Sequence, residues 1–110
     1  MLEPVLPRSG LHVVMSPGIY HLEEPLTLSH SGQVLLGLGL ATLVPTRQNA
    51  VVRVGDVDGV RVAGLLLQAG PQAGGAMSPA LLEWGTGAHA GASSNPGVIS
   101  DVFARVSRKQ

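Results

Sequence analysis

Seven carboxylates carry the widest chemical range in this chain: Glu3, Glu23, Glu24, Asp56, Asp58, Glu83 and Asp101. Two of them facing one sugar bond is the usual requirement for glycoside hydrolysis, at about 5 Å when one is the nucleophile and roughly 6.5 to 9.5 Å when water stands between. Glu3 falls in an irregular leader, Glu23 and Glu24 point to opposite faces of an extended chain, and Asp56 and Asp58 share a tight corner. Glu83 and Asp101 each interrupt an apolar stretch, which makes them the candidate catalytic acids, placed on neighbouring repeats. The plainer reading sets Glu83 in solvent beside Trp84 and makes Asp101 a bend where Gly64 stands one repeat earlier. Trp84 is the candidate substrate-binding residue, a flat apolar surface for a sugar ring, although packing into the interior is the commoner use of tryptophan.

Other chemistries find less support. Asp56-Val-Asp-Gly59 has the opening of a calcium loop but lacks the third oxygen ligand and the later glutamate, so a hydrogen-bonded corner is expected and no metal. His12, His21, His30 and His89 show no zinc spacing, and the chain has no cysteine to supply thiolates or disulfides. Gly37-Leu-Gly39 does not open a helix whose amide end could face a phosphate, and no Gly-x-Ser-x-Gly elbow occurs. No cofactor is expected.

These residues sit among short apolar runs punctuated by turn formers, without helical spacing. The runs are His12-Val-Val-Met15, Gly18-Ile-Tyr-His-Leu22, Pro25-Leu-Thr-Leu28, Val34-Leu-Leu36, Ala41-Thr-Leu-Val44, Ala50-Val-Val-Arg-Val54, Val60-Arg-Val62, Leu65-Leu-Leu67, Ala80-Leu-Leu-Glu-Trp84 and Val98 to Val106. Between Val60 and Val62, and between Val52 and Val54, the arginines Arg61 and Arg53 take the outward positions of half-buried strands. Asn49, just before a run, suits a left-handed corner.

The runs repeat. Pro25 to Ala50 and Gly39 to Gly64 are both 25 residues, whereas Ala50 to Pro79 is 29 and Gly64 to Asp101 is 37. The added residues fall near 70–79 and 85–97, where loops are expected. A period in the twenties with glycine corners predicts an all-β solenoid, a right-handed parallel β-helix of about three to four coils, each covering its neighbour's apolar face. Residues 10–106 form that segment, between an irregular leader at 1–9 and a polar tail at 107–110.

Seven basic residues balance seven acidic ones, so no charge excess calls for nucleic acid or an anionic membrane, and neutral partners such as glycans stay admissible. The apolar stretch from Val34 to Val44 is too short to cross a bilayer as a helix, and the amino terminus shows no export signal. The thin core is aliphatic, since Tyr20, Trp84 and Phe103 are the only aromatics.

Pro17-Gly-Ile-Tyr20, Val34-Leu-Leu-Gly-Leu-Gly-Leu-Ala-Thr-Leu-Val-Pro-Thr46, Asp56-Val-Asp-Gly-Val-Arg-Val-Ala-Gly-Leu-Leu-Leu67 and Ser100-Asp-Val-Phe103 together resemble the pectin-lyase-like β-helix. That family occurs in large, mostly bacterial secreted proteins related to β-1,3-glucanase-type glycoside hydrolases, some with a coagulation factor 5/8 type domain. The resemblance implies an extracellular glycan as ligand or substrate, and a chain several times longer, of which this is an early stretch. Three functions follow as expectations. The first is a polysaccharide-binding or scaffold segment. The second is a fragment of a glycoside hydrolase or polysaccharide lyase, with its cleft completed elsewhere. The third is a self-assembly module, because the open ends of a short solenoid invite further coils or another chain.

Overall fold

The computed structural model describes residues 12–47, 49–69, 80–87, 91 and 94–105. Among them are eight strands: β1 (Val13–Met15), β2 (Ile19–Leu22), β3 (Leu26–Leu28), β4 (Val34–Pro45), β5 (Val52–Val54), β6 (Arg61–Gln68), β7 (Leu82–Trp84) and β8 (Val98–Arg105). Every pairing is parallel. A larger sheet runs β1-β4-β6-β8, with β2 also against β4, and a smaller sheet runs β3-β5-β7. Parallel neighbours need a crossover. Here the crossover is a visit to the other sheet, so the chain alternates between the two and each pass hydrogen-bonds to the one before.

Alternation within the strands builds the core. Leu26 and Leu28 pair in register with Val52 and Val54, and all four are buried, while the intervening Thr27 and Arg53 are exposed. In the larger sheet Leu35 and Val62 are paired and buried, as are Leu43 and Leu67, and Arg61 points to solvent. Truncating one fully enclosed leucine of this kind to alanine costs about 2 to 5 kcal/mol.

The register differs from the expected 25-residue spacing. Val34 pairs with Arg61 (27 residues on), Ala41 with Leu65 (24) and Leu26 with Val52 (26). Matching glycine to glycine misaligns the passes, because the pairing is set by which side chains must face inward, and a shift of one residue would turn Leu26 and Leu28 outward. The runs expected separately at 34–36 and 41–44 are one strand, as are 61–62 and 65–67 with Val60 just before it, each ladder being kept across a bend. At that bend residues 37–40 of β4 stand opposite Gly64 alone. Gly64 has φ +73°, and a β-carbon on it would strike the carbonyl oxygen of Gly37, so only glycine permits the backbones to close there.

Asp101 occupies the bend of β8 directly opposite Gly64, between the pairs Ala63–Ser100 and Leu65–Val102, and has φ +51°. Asn49 departs from its expected left-handed geometry, since the only non-glycine residues with positive φ among those described are Leu40 and Asp101. Its side chain takes over the corner's bonding instead. Oδ1 accepts from the Arg47 amide at 3.1 Å, and Nδ2 donates to the carbonyls of Ala50 at 2.7 Å and Leu22 at 3.3 Å. The side-chain amide thereby stitches this corner to the preceding pass without a backbone inversion. The expected leader at 1–9, loop at 70–79 and tail at 107–110 lie outside the described residues, and the second loop is described only at 85–87, 91 and 94–97.

Candidate functional site

Glu83 lies in β7, paired with Arg53 of β5, and its Oε1 is 3.0 Å from Arg53 Nη2. Their side chains are 52% and 40% exposed for Arg53 and Glu83 respectively, so this is a solvated surface pair worth about 0–1 kcal/mol. Together with Thr27 these residues form a polar file across the outside of the smaller sheet. Asp101 belongs to the larger sheet, in the edge strand β8, so the two candidate acids sit on different sheets.

Trp84 is half-buried and packs against the apolar core, with its ring lying against Gly97 in the space a β-carbon would fill. Asp56 ties two corners together: Oδ1 accepts the Thr86 amide at 2.8 Å and Oδ2 accepts the Thr86 hydroxyl at 2.6 Å. The Asp58 amide donates to Ser31 Oγ at 3.4 Å while its carbonyl accepts from the Gly32 amide at 2.8 Å. Corner residues thus bond across successive passes. His12 Nδ1 accepts from the Val34 amide at 3.1 Å, His30 Nδ1 is 3.4 Å from Ser29 Oγ, His21 is exposed on β2, and Glu3 and His89 lie outside the described residues. Among the described residues no group of three or more His, Cys, Asp or Glu is placed to hold a metal ion, and no helix is long and apolar enough to cross a membrane.

A second surface, on the outside of the larger sheet, escapes a reading that looks for acids alone. In β6 and β8 the bend changes strand parity, whereas the four-residue bulge of β4 keeps it. Leu65, Leu67 and Val102 face the core, so the outward column is Ile19, Thr42, Leu66 and Phe103, paired across β2, β4, β6 and β8. Phe103 is 55% exposed, and Leu38 and Leu40 on the four-residue bulge are 47% and 48% exposed. Beside the bulge, Gly64 and Asp101 cross the same corner in one residue each. Leu38 and Leu40 thus form an exposed apolar ledge on the bulge, and Asp101 and Phe103 are exposed on β8. The signal for this was the run Ser100-Asp-Val-Phe103, in which a bend at Asp101 puts Val102 inside and Phe103 outside.

The model of the LAM55 pectate lyase-like domain matches residues 5–110. The chain belongs to this family. An exo-β-1,3-glucanase from Streptomyces sp. (strain SirexAA-E / ActE) is 45% identical over 98 residues, which are 88% of this chain and 16% of the glucanase. A solved structure of a sacteLam55A variant from Streptomyces sp. SirexAA-E in complex with glucose is 43% identical and superposes with a TM-score of 0.80, covering 87% of this chain and 17% of that one. Another structure of sacteLam55A gives 42% identity and a TM-score of 0.79 over the same shares. The chain thus spans about a sixth of the length of these relatives.

Proposed function

We propose that this chain is a segment of a right-handed parallel β-helix, three to four coils deep, that serves a glycan-active protein by binding polysaccharide or by scaffolding its binding surface. The observation that carries the reading is the 45% identity to an exo-β-1,3-glucanase across 88% of the chain, together with a TM-score of 0.80 to a solved relative. The alternation of the chain between two parallel sheets supports the winding, and the balanced charge suits a neutral glycan. Glu83 and Asp101 receive no catalytic role here, because Glu83 is paired with Arg53 and the two acids belong to different sheets.

Sedimentation with insoluble β-1,3-glucan tests the reading, with a β-1,4-glucan for comparison and a reducing-sugar assay of the supernatant. Retention on the β-1,3-linked polymer without sugar release is expected. A chain that is folded by circular dichroism yet stays wholly in the supernatant rules the glycan role out.

One further observation favours a self-assembling use of the open end. Ile99 pairs with Val62, which is 0% exposed, yet Ile99 itself is 50% exposed because β8 is an edge strand. Another strand laid on that edge would cover it, from later coils or from a second chain. Light scattering across a wide concentration range should show mass rising with concentration, and a constant monomer mass removes the second-chain form of the idea.

A further inference from the structure

The turn that leads into β8 is gripped at two places where a glycine leaves room for a side chain. Gly97 directly precedes β8, and the place of its absent β-carbon is taken by the six-membered ring of Trp84, which stands on β7 in the other sheet. Gly59 lies just before β6 in the preceding pass, and the place of its absent β-carbon is taken by the side-chain amide of Asn95. Beside them the Val98 amide donates to the Val60 carbonyl at 2.9 Å, where the ladder of β8 on β6 begins. The start of the last pass is therefore clasped twice, by an indole from the smaller sheet on Gly97 and by its own Asn95 on the pass before.

Beyond this clasp β8 has little to hold it. Six of its eight residues are exposed and only Val98 and Val102 are partly buried, whereas Val62, Leu65 and Leu67 of β6 are buried. Its backbone is paired with β6 alone, at the edge of the sheet. Few buried apolar contacts on an edge element are the profile of a unit that opens before the rest of a structure does. We propose that β8 is a hinged edge strand whose docking is governed by the Trp84–Gly97 and Asn95–Gly59 contacts, and that it opens as a unit while the two sheets beneath it stay folded. Opening lifts the turn off Trp84 and bares the edge of β6 that β8 had paired. The stack thus has a closed state ending at β8 and an open state ending at β6, and Trp84 reports which is present because its ring loses cover on the side of Gly97.

Native-state amide exchange of the full chain in low urea tests this, with Trp84 emission followed on the same samples. Protection in β8 is expected to be about tenfold or more below that in β4 and β5 and nearly independent of urea, because a local opening exposes little surface. Gly97→Ala, whose methyl must displace the indole, should lower β8 protection about tenfold further and shift Trp84 emission to the red, with β4 unchanged. Trp84→Leu removes the ring that the methyl meets, so adding Gly97→Ala to it should change β8 protection little, a coupling that a general loss of stability does not produce. If β8 in the wild-type chain exchanges with the same protection and urea slope as β4, the strand belongs to the global unit and the proposal is overturned, whether or not the variants fold. If β8 opens alone but Gly97→Ala leaves its protection and the Trp84 emission at wild-type values, the clasp does not govern docking and the proposal is equally overturned.

Discussion

The middle pass and the last pass make the same bend with different residues, Gly64 in β6 and Asp101 in β8, and the contrast separates what backbone geometry demands from what burial demands. Gly64 is enclosed on one side by Gly37, where a β-carbon has no room. Asp101 repeats the positive φ at the sheet's edge, and it is exposed. Paired residues diverge in the same way: Val62 is fully buried, and Ile99 opposite it is half exposed. Position in the stack, more than residue type, decides how much each side chain contributes.

The comparison breaks most visibly at Gly64. Gly64→Ala combines a left-handed penalty of about 1–2 kcal/mol with a collision against the Gly37 carbonyl, so a loss of about 3 kcal/mol or more is expected in urea unfolding. A wild-type midpoint in this variant would mean that the two backbones can separate freely. Next comes a paired truncation. Leu43→Ala, from a side chain with no exposure, should cost about 2–5 kcal/mol, and Ile99→Ala about 1 kcal/mol or less in the monomer. Equal losses would show that the β8 edge is already covered in solution. Asp101→Gly should raise stability by about 0.5–1 kcal/mol through relief of the positive φ, the opposite sign from Gly64→Ala, and thermal melts of the two variants check it. The smallest effect belongs to Arg53→Ala, about 0–1 kcal/mol and reduced by salt, because the Glu83 pair is solvated.

Much of the strand layout was legible because Arg53 and Arg61 mark the outward phase of their strands and Gly64 marks a corner. Asp101 was readable as Gly64's counterpart, since both interrupt an apolar run. The register was harder. Letter similarity equates Gly39 with Gly64, whereas the ladder sets the whole of 37–40 against Gly64, and a bulge leaves no periodic trace in a single sequence. The candidate site was read through its acids and its tryptophan, which hid the role of parity. Trp84 packs against the core and Gly97, the commoner of the two uses weighed for it, and Phe103, which the sequence left unassigned, is exposed beyond the bend. Asn49 was recognised as a corner residue but with the wrong means, side-chain bonds replacing a left-handed backbone.

The corner beside Gly64 takes three residues at 16–18 opposite four at 38–41, and four at 37–40 opposite one at 64, yet the ladder resumes in step on its far side every time. Length at this corner is therefore uncoupled from register. A chain built this way has an insertion port: residues added near Leu38 and Leu40 would lengthen the ledge without re-threading the sheets, because the cost of a longer surface connection grows only slowly with its length. Variation accumulated there would change what the outer surface displays while the stack beneath stays the same, which makes the corner a natural place to graft a new recognition segment.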